Sequence, residues 1–433
     1  MGQAVADREA TASAATGEID AEDLKHSMRM IRRYAQPYRR LMARREMGAH
    51  LVEMVTGLTS DLERKSVEPI ATMHGLPRHV LHHFVGGSRW EWDPLMELLR
   101  TEVSREIGIE NGTLVIDGSA TPKKGDATVG AGRQWCGTRG KQDNCVVGVY
   151  AAYVGRDDAT ALVEVRLFLP RAWTDDPMRR AEVSIPPETE YQTQPQIARS
   201  ILHDLAGKLP FKWVLADDEF GRTQAFRDEA KDLDLNYVLD VPKDTVVRRF
   251  RRGDRVPSRR QWQVQDLRRR IPVDDWSYFR VRDGEKGPIE VRATRLDVAT
   301  QREGRLWVPE TLLIIETLDG ADRWYCLAHA PKETSLEELV RRAGLRHRIE
   351  EAFGEAKGEV GLDHFETRTW QGWHHHMILC IVSHWFLLRE KRRLGKKSAG
   401  PHRQHDPQGD RALDLSTDAT PVGANPELPS LTQ

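Results

Sequence analysis

The sequence predicts an α/β fold, a mixed sheet flanked by helices, with an N-terminal all-helical domain and a β-rich insertion. Three observations carry this. Apolar residues recur at helical spacing before residue 100, strands and helices alternate between Gly112 and Val241, and a run of strands then intervenes before the last helices.

Residues 1–22 are low-complexity and acidic, the composition of a disordered segment. From Leu24 to about Leu99 the pattern is helical: Leu51, Val52, Val55, Leu58 and Leu62 share a face, and Leu76-Pro77 and Gly86-Gly87 punctuate the stretch. At Gly112 the character changes. Leu114-Val115-Ile116 is a short apolar run ending in Asp117, followed by an expected loop from Gly118 to Gly125. Val146–Tyr153 and Ala161–Leu169 read as two further strands, Gln194–Leu209 as an amphipathic helix, and Trp213–Ala216 as a fourth strand ending at Asp217. A helix over Arg222–Leu233 and a fifth strand over Tyr237–Val241 complete the order β-β-β-α-β-α-β.

The pattern then breaks for about ninety residues. An Arg-rich stretch leads into expected strands at Trp276–Val281, Ile289–Leu296, Leu306–Glu316 and Trp324–His329. From Leu336 one helix is expected to carry Arg346 to Glu351, and a second, Trp373–Leu388, closes the fold. The tail from Gly395 has a disordered composition. The expected division is therefore 1–22, a helical part at 23–110, an α/β part at 111–241 and 334–394, a β-rich insertion at 242–333, and a tail at 395–433.

A chain of 433 residues is too long for one ordinary domain. It is 39% hydrophobic and 30% charged, and no apolar run reaches the roughly 18 residues of a membrane span. The N-terminus lacks the apolar core of a signal peptide, so a cytosolic protein is expected. Cys136, Cys145, Cys326 and Cys380 show no C-x2-C spacing, which argues against a zinc ribbon. The net charge of -1 carries no bias toward nucleic acid, but its distribution does. Lys243 to Arg270 holds eleven Lys or Arg, including Arg248, Arg249, Arg251 and Arg252, against three Asp. A second cluster comprises Arg29, Arg32, Arg33, Arg39, Arg40, Arg44 and Arg45. Both suit phosphate contacts, although on charge alone a solvated face is the favoured reading of each.

Asp117 and Asp217 end strands and Glu350 sits on the helix after the insertion. Strand ends in α/β sheets project into a crevice. Carboxylates suit magnesium, and two such ions can activate the attacking oxygen and stabilise the leaving one in phosphodiester displacement. As isolated residues, the two aspartates are equally strand-end acids that cap a turn. His374-His375-His376 lies on adjacent helical positions that share no face, and reads as an ordinary helix start. Gly130-Ala131-Gly132 lacks the rest of a nucleotide motif and reads as a loop. Trp276, Trp307 and Trp324 either pack small strands or stack on an unpaired base.

Three blocks in order resemble bacterial insertion-sequence transposases of the DDE, ribonuclease-H-like group. The first is Ile116-Asp117-Gly118 through Lys123-Lys124-Gly125, with Gln134-Trp135-Cys136-Gly137 and Asp143-Asn144-Cys145. The second is Leu215-Ala216-Asp217-Asp218-Glu219-Phe220-Gly221. The third is Arg346-x3-Glu350-x6-Lys357, running on to Gly361-Leu362-Asp363-His364-Phe365-Glu366. It is similar to the signature Tyr-x2-Arg-x3-Glu-x6-Lys, except that Ala343 stands at the tyrosine position. The resemblance implies a ribonuclease-H-like core and a catalytic triad of Asp117, Asp217 and Glu350. It implies two Mg2+ ions, with Mn2+ able to substitute, and double-stranded DNA as partner, bound as a homodimer at the nucleoid. It also implies cleavage at inverted terminal repeats and strand transfer. Arg346, Lys357, Lys123 and Lys124 would then contact phosphates. Two readings compete: a transposase-derived DNA-binding protein that no longer cuts, and a phosphohydrolase with Asp117 as nucleophile. The second usually wants an acid two residues on, where Ser119 stands.

Overall fold

The computed structural model describes residues 21–251, 253–284, 287–302 and 306–398. The acidic segment up to residue 20, Arg252 and the tail from residue 399 lie outside the described residues. Five helices come first: α1 (Ala21–Arg39), α2 (Arg45–Leu58), α3 (Val67–Met73), α4 (Arg78–Gly86) and α5 (Asp93–Ile107). The apolar stripe read from sequence is their inner face: Leu51, Met54, Val55 and Leu58 of α2 are fully buried. Those side chains belong to one continuous core with the sheet that follows.

That sheet begins with β1 (Gly112–Pro122), β2 (Gly132–Cys136), β3 (Lys141–Val154) and β4 (Thr160–Leu167). Short helices α6 (Arg171–Thr174) and α7 (Pro177–Glu182) lead to α8 (Gln194–Leu205). Thr193 and Gln196 start α8 with a capping box, and Ile197, Ala198, Ile201, Leu202 and Leu205 form its buried stripe. Then come β5 (Phe211–Ala216), α9 (Asp218–Gly221), α10 (Gln224–Asp232) and β6 (Asn236–Asp240). Central β1 pairs antiparallel with β3 and parallel with β5, and β5 pairs parallel with β6. Leu114, Val115 and Ile116 are buried on both faces, as a strand flanked on both sides requires.

The segment after Val241 extends this same sheet. It comprises β7 (Val246–Arg249), β8 (Gln261–Gln263), α11 (Val264–Arg268), β9 (Ser277–Gly284), β10 (Gly287–Gln301), β11 (Trp307–Thr317) and β12 (Arg323–His329). β12 pairs antiparallel with β6, giving the path β2-β3-β1-β5-β6-β12-β11-β10-β7-β8, with β4 on β3 and β9 on β10. Alternating residues of β11 face two cores: Leu313 and Ile315 face the main one, and Leu312 and Ile314 a smaller one under β7 and α11. The last helices are α12 (Leu336–Gly344), α13 (His347–Val360) and α14 (Trp370–Ser398). The residues from Arg389 form a separate compact unit, which contains the Arg393–Glu390 ion pair.

The structure corrects four expectations. Residues 118–122 continue β1 instead of forming a loop, because each still pairs with β3 after β5 has ended. β2 is an additional strand, and β7 and β8 turn part of the Arg-rich stretch into strand; all three are short and lack an apolar alternation. The single helix expected from Leu336 is two. Gly344 is a poor helix former, and the backbone there switches to three-residue turns, Leu345 N–H to Arg342 O and Arg346 N–H to Ala343 O. The closing helix runs to Ser398.

Glu310 on β11 fastens the sheet extension to the older half. Its side chain is 0% exposed and accepts from Arg227 Nε (3.1 Å), Lys231 Nζ (3.2 Å), Tyr237 Oη (2.5 Å) and Thr300 Oγ1 (2.6 Å). Burial alone would push its carboxyl up, but the two cations and the hydroxyls outweigh burial and hold it below the usual glutamate range. Its contribution to stability is therefore present above the unfolded-chain pKa and is lost as pH falls through the lowered folded value. Glu310→Gln leaves the buried Arg227 without its ion-pair partner and removes that of the partly buried Lys231. We expect it to cost about 3–5 kcal/mol in urea unfolding at neutral pH. The same variant should show less additional loss of stability below about pH 4 than the parent.

Candidate active site

Asp117 and Asp217 are brought together by strand register. Ile116 on β1 pairs with Ala216 on β5, so the next residue on each strand is an aspartate, side by side where β5 ends and β1 runs on. Asp240 ends β6, the next strand, in the same way. Asp117 within β1, and Asp217 and Asp240 at the ends of β5 and β6, line a cleft of about 860 Å³ together with Arg346 and Glu350 of the α12–α13 region. Lys243, Asp244, Gln265, Arg268, Arg269 and Arg323 contribute to its walls.

The two aspartates are partly buried and sit in electrostatic tension. Burial, then the charge of Asp217, raises the pKa of Asp117. Burial, then Asp218, raises that of Asp217. Backbone N–H groups relieve this in part: Gly118 N–H donates to Asp117 Oδ1 (2.7 Å) and Glu219 N–H to Asp217 Oδ1 (3.0 Å). Asp217 is thus also the N-cap of α9, so the capping role considered from sequence is present. Neither aspartate belongs to an ion pair among the described residues.

Arg346 is the cation that bridges two of the cleft's acids. Its Nε lies 3.0 Å from Asp240 Oδ2 and its Nη1 2.9 Å from Glu350 Oε1. Cys326 Sγ donates to the other oxygen of Asp240 at 3.1 Å, which fixes that carboxylate from behind. Burial opposes the guanidinium's charge, but Asp240, Glu350, Asp117 and Asp217 together outweigh it and raise its pKa. Glu350 is 54% exposed and reaches into the cleft edge from a helix whose Ile349, Ala352, Phe353, Ala356 and Val360 are buried.

The donor set is all oxygen and suits a hard divalent cation. Two carboxylates whose pKa values are raised by burial and neighbouring acids, with no cation bonded to either, would be relieved by such an ion. Among the described residues no three His, Cys, Asp or Glu side chains already close around one point. Glu350 is instead held by Arg346.

A family model described as DDE superfamily endonuclease matches residues 37–288, more than half of the chain. The chain belongs to the DDE superfamily endonucleases. It is also 27% identical over 314 residues to the "Probable transposase for insertion sequence element IS701" of Microchaete diplosiphon, covering 71% of this chain and 74% of that protein. The fold is of the ribonuclease-H-like DDE type, and members of the superfamily generally use divalent metal ions. No described helix is long and apolar enough to cross a membrane.

The endonuclease keeps some of the expected DNA-binding residues away from the cleft. Lys123 Nζ donates to Phe365 O at 2.7 Å and lies 3.3 Å from the centre of that ring; burial pushes its pKa down to about 8. Lys357 lies 5.9 Å from the Phe353 ring and burial lowers its pKa too. Neither lines the cleft. Lys124, Arg32, Arg33, Arg40 and Arg251 are exposed; Arg39 and Arg249 are partly buried, and Arg248 stacks 4.0 Å from the Trp307 ring. His374, His375 and His376 are buried and turn to different backbone carbonyls, those of Trp370, Val85 and Gly361, so they share no ligand geometry. Sequence reading passed over Asp240 and Arg323. Asp240 was detectable, since an aspartate follows the apolar run Tyr237-Val238-Leu239 as Asp117 and Asp217 follow those of the first and fourth strands.

Proposed function

We propose that this endonuclease is a transposase that binds the inverted terminal repeats of an insertion sequence, cuts DNA there and joins the freed end to target DNA. The observation that carries the reading is the shared cleft of Asp117, Asp217, Glu350 and Arg346 at the ends of adjacent parallel strands. In this reading Asp117, Asp217 and Glu350 hold two Mg2+ ions, for which Mn2+ substitutes. Bound there, the ions activate the attacking oxygen and stabilise the leaving one. In cleavage a water oxygen bonds to phosphorus as the P–O3′ bond breaks, leaving a 3′-hydroxyl and a 5′-phosphate. That hydroxyl then attacks a target phosphodiester in the same kind of displacement.

The chain's own part is positioning. Asp240 and Cys326 hold Arg346, whose guanidinium offers donors to a phosphate beside the acids. Glu350, paired here with Arg346, would join Asp117 and Asp217 in holding the ions. A homodimer that pairs two ends fits the chemistry of excision, and a bacterial cytoplasmic, nucleoid-associated location follows.

Supercoiled DNA with and without the element's terminal repeats, incubated with protein and magnesium, tests this directly. Repeat-dependent nicking or linearisation supports it; binding without cutting favours the transposase-derived DNA-binding protein. The basic face of α1 and the Arg-rich stretch are assigned to end recognition. Replacing Arg32, Arg33 and Arg40 with Gln together should reduce the salt slope of end binding by about 0.9 for each phosphate that the variant no longer neutralises. An unchanged slope removes α1 from the interface.

A further inference from the structure

Glu316 ends the inner row of β11 and is 0% exposed. Its carboxylate accepts from three arginines. Arg268 gives two bonds, Nε to Oε2 at 2.8 Å and Nη2 to Oε1 at 3.0 Å; Arg292 Nε gives one at 2.6 Å and Arg323 Nε one at 3.2 Å. The arrangement follows from register. Arg292 on β10, Glu316 on β11 and Arg323 on β12 are direct cross-strand neighbours in one row, and Arg268 reaches over them from the end of α11.

One arginine would neutralise one carboxylate. Three leave two positive charges in surplus around a buried anion, and no other described carboxylate joins the group. The guanidinium ends are not buried with it: the side chains of Arg268, Arg292 and Arg323 are 25%, 29% and 44% exposed. Arg268 and Arg323 both line the cleft that holds Asp117 and Asp217. Glu316 takes one edge of each fork and Arg323 Nη2 also donates to Gly320 O at 3.0 Å; the N–H groups that remain on these planar forks match phosphate oxygens.

We propose that Arg268, Arg292 and Arg323, fanned and held by Glu316, form a phosphodiester-binding site on the β12 side of the cleft. The site grips the DNA backbone next to the bond that is cut. This rests on the reading above that DNA is the substrate. Glu316 is a positioning residue: it touches no DNA, and it keeps three mutually repelling cations in one fan.

The test is the salt dependence of binding, without metal, of the full chain to labelled duplexes with and without a terminal repeat. Phosphate contacts are sequence-independent, so both duplexes respond alike. Arg323→Gln, at the most exposed of the three, should lower the log–log slope by about 0.9, and Arg268→Gln with Arg323→Gln by about 1.8. Arg323→Lys should restore most of the slope. Arg295→Gln should change nothing, since Arg295 is exposed, does not line the cleft and bonds Thr334 O. Glu316→Gln gives the sharpest sign: it removes a negative charge yet should weaken binding, by about tenfold, in protein whose circular dichroism matches the parent. An unchanged slope in folded Arg323→Gln, or tighter binding by Glu316→Gln, overturns the site. A parent protein that binds neither duplex overturns the DNA reading itself, and the site with it.

Discussion

Asp117→Asn and Asp217→Asn should each abolish strand cleavage and leave end binding within about threefold of the parent. The loss expected is at least about a thousandfold, roughly 4 kcal/mol of transition-state stabilisation. Asparagine is the informative replacement because it keeps the shape and, at Asp217, the acceptor that caps Glu219 N–H. The two carboxylates disfavour each other's charge inside the cleft, so neutralising one relieves the folded protein. Thermal stability should therefore hold or rise as activity vanishes, the pattern of residues retained for function at a cost to stability. A structural role predicts the opposite: lowered melting temperature together with lost binding.

Glu350→Gln should likewise eliminate cleavage, while Glu351→Gln should keep most of it. The two residues are adjacent, but α13 turns them apart. Glu350 lines the cleft and bonds Arg346 at 2.9 Å. Glu351 turns to His347 (3.0 Å) and Arg348 (2.9 Å) outside it. Both side chains are about half exposed, so either change should move stability by no more than about 1 kcal/mol. Loss of cleavage in single-turnover assays then reports on chemistry and not on folding. The reverse outcome would mean that the wrong face of α13 meets the substrate.

The strand ends and this helical phase were legible because both rest on local pattern. Ile349, Ala352, Phe353, Ala356 and Val360 define the buried stripe of α13, and the stripe fixes where Arg346 and Glu350 point. The β-α alternation from Gly112 to Val241 likewise sets Asp217 at the end of β5, whereas Asp117, expected to end its strand, lies within β1 beside it. What sequence could not give is non-local. Nothing near Arg323 or Glu316 announces that β12 returns to pair with β6 and joins the strands of the β-rich insertion to the preceding ones in one continuous sheet. The Arg292–Glu316–Arg323 row exists only once three strands are in register. Lys123 and Lys357 illustrate the converse: their spacing suggested phosphate contacts, but packing against Phe365 and Phe353 takes them out of the cleft lining.

The most direct measurement maps the DNA ends produced on a plasmid carrying the inverted repeats that flank the gene. Parent protein and the Asp117→Asn, Asp217→Asn double variant would be compared in magnesium, with repeat binding measured in parallel. The account predicts 3′-hydroxyl ends at the outer boundary of the repeats from the parent alone, with binding retained by both proteins. The same ends from the double variant would contradict it, as would a parent that binds the repeats and leaves them uncut in either magnesium or manganese.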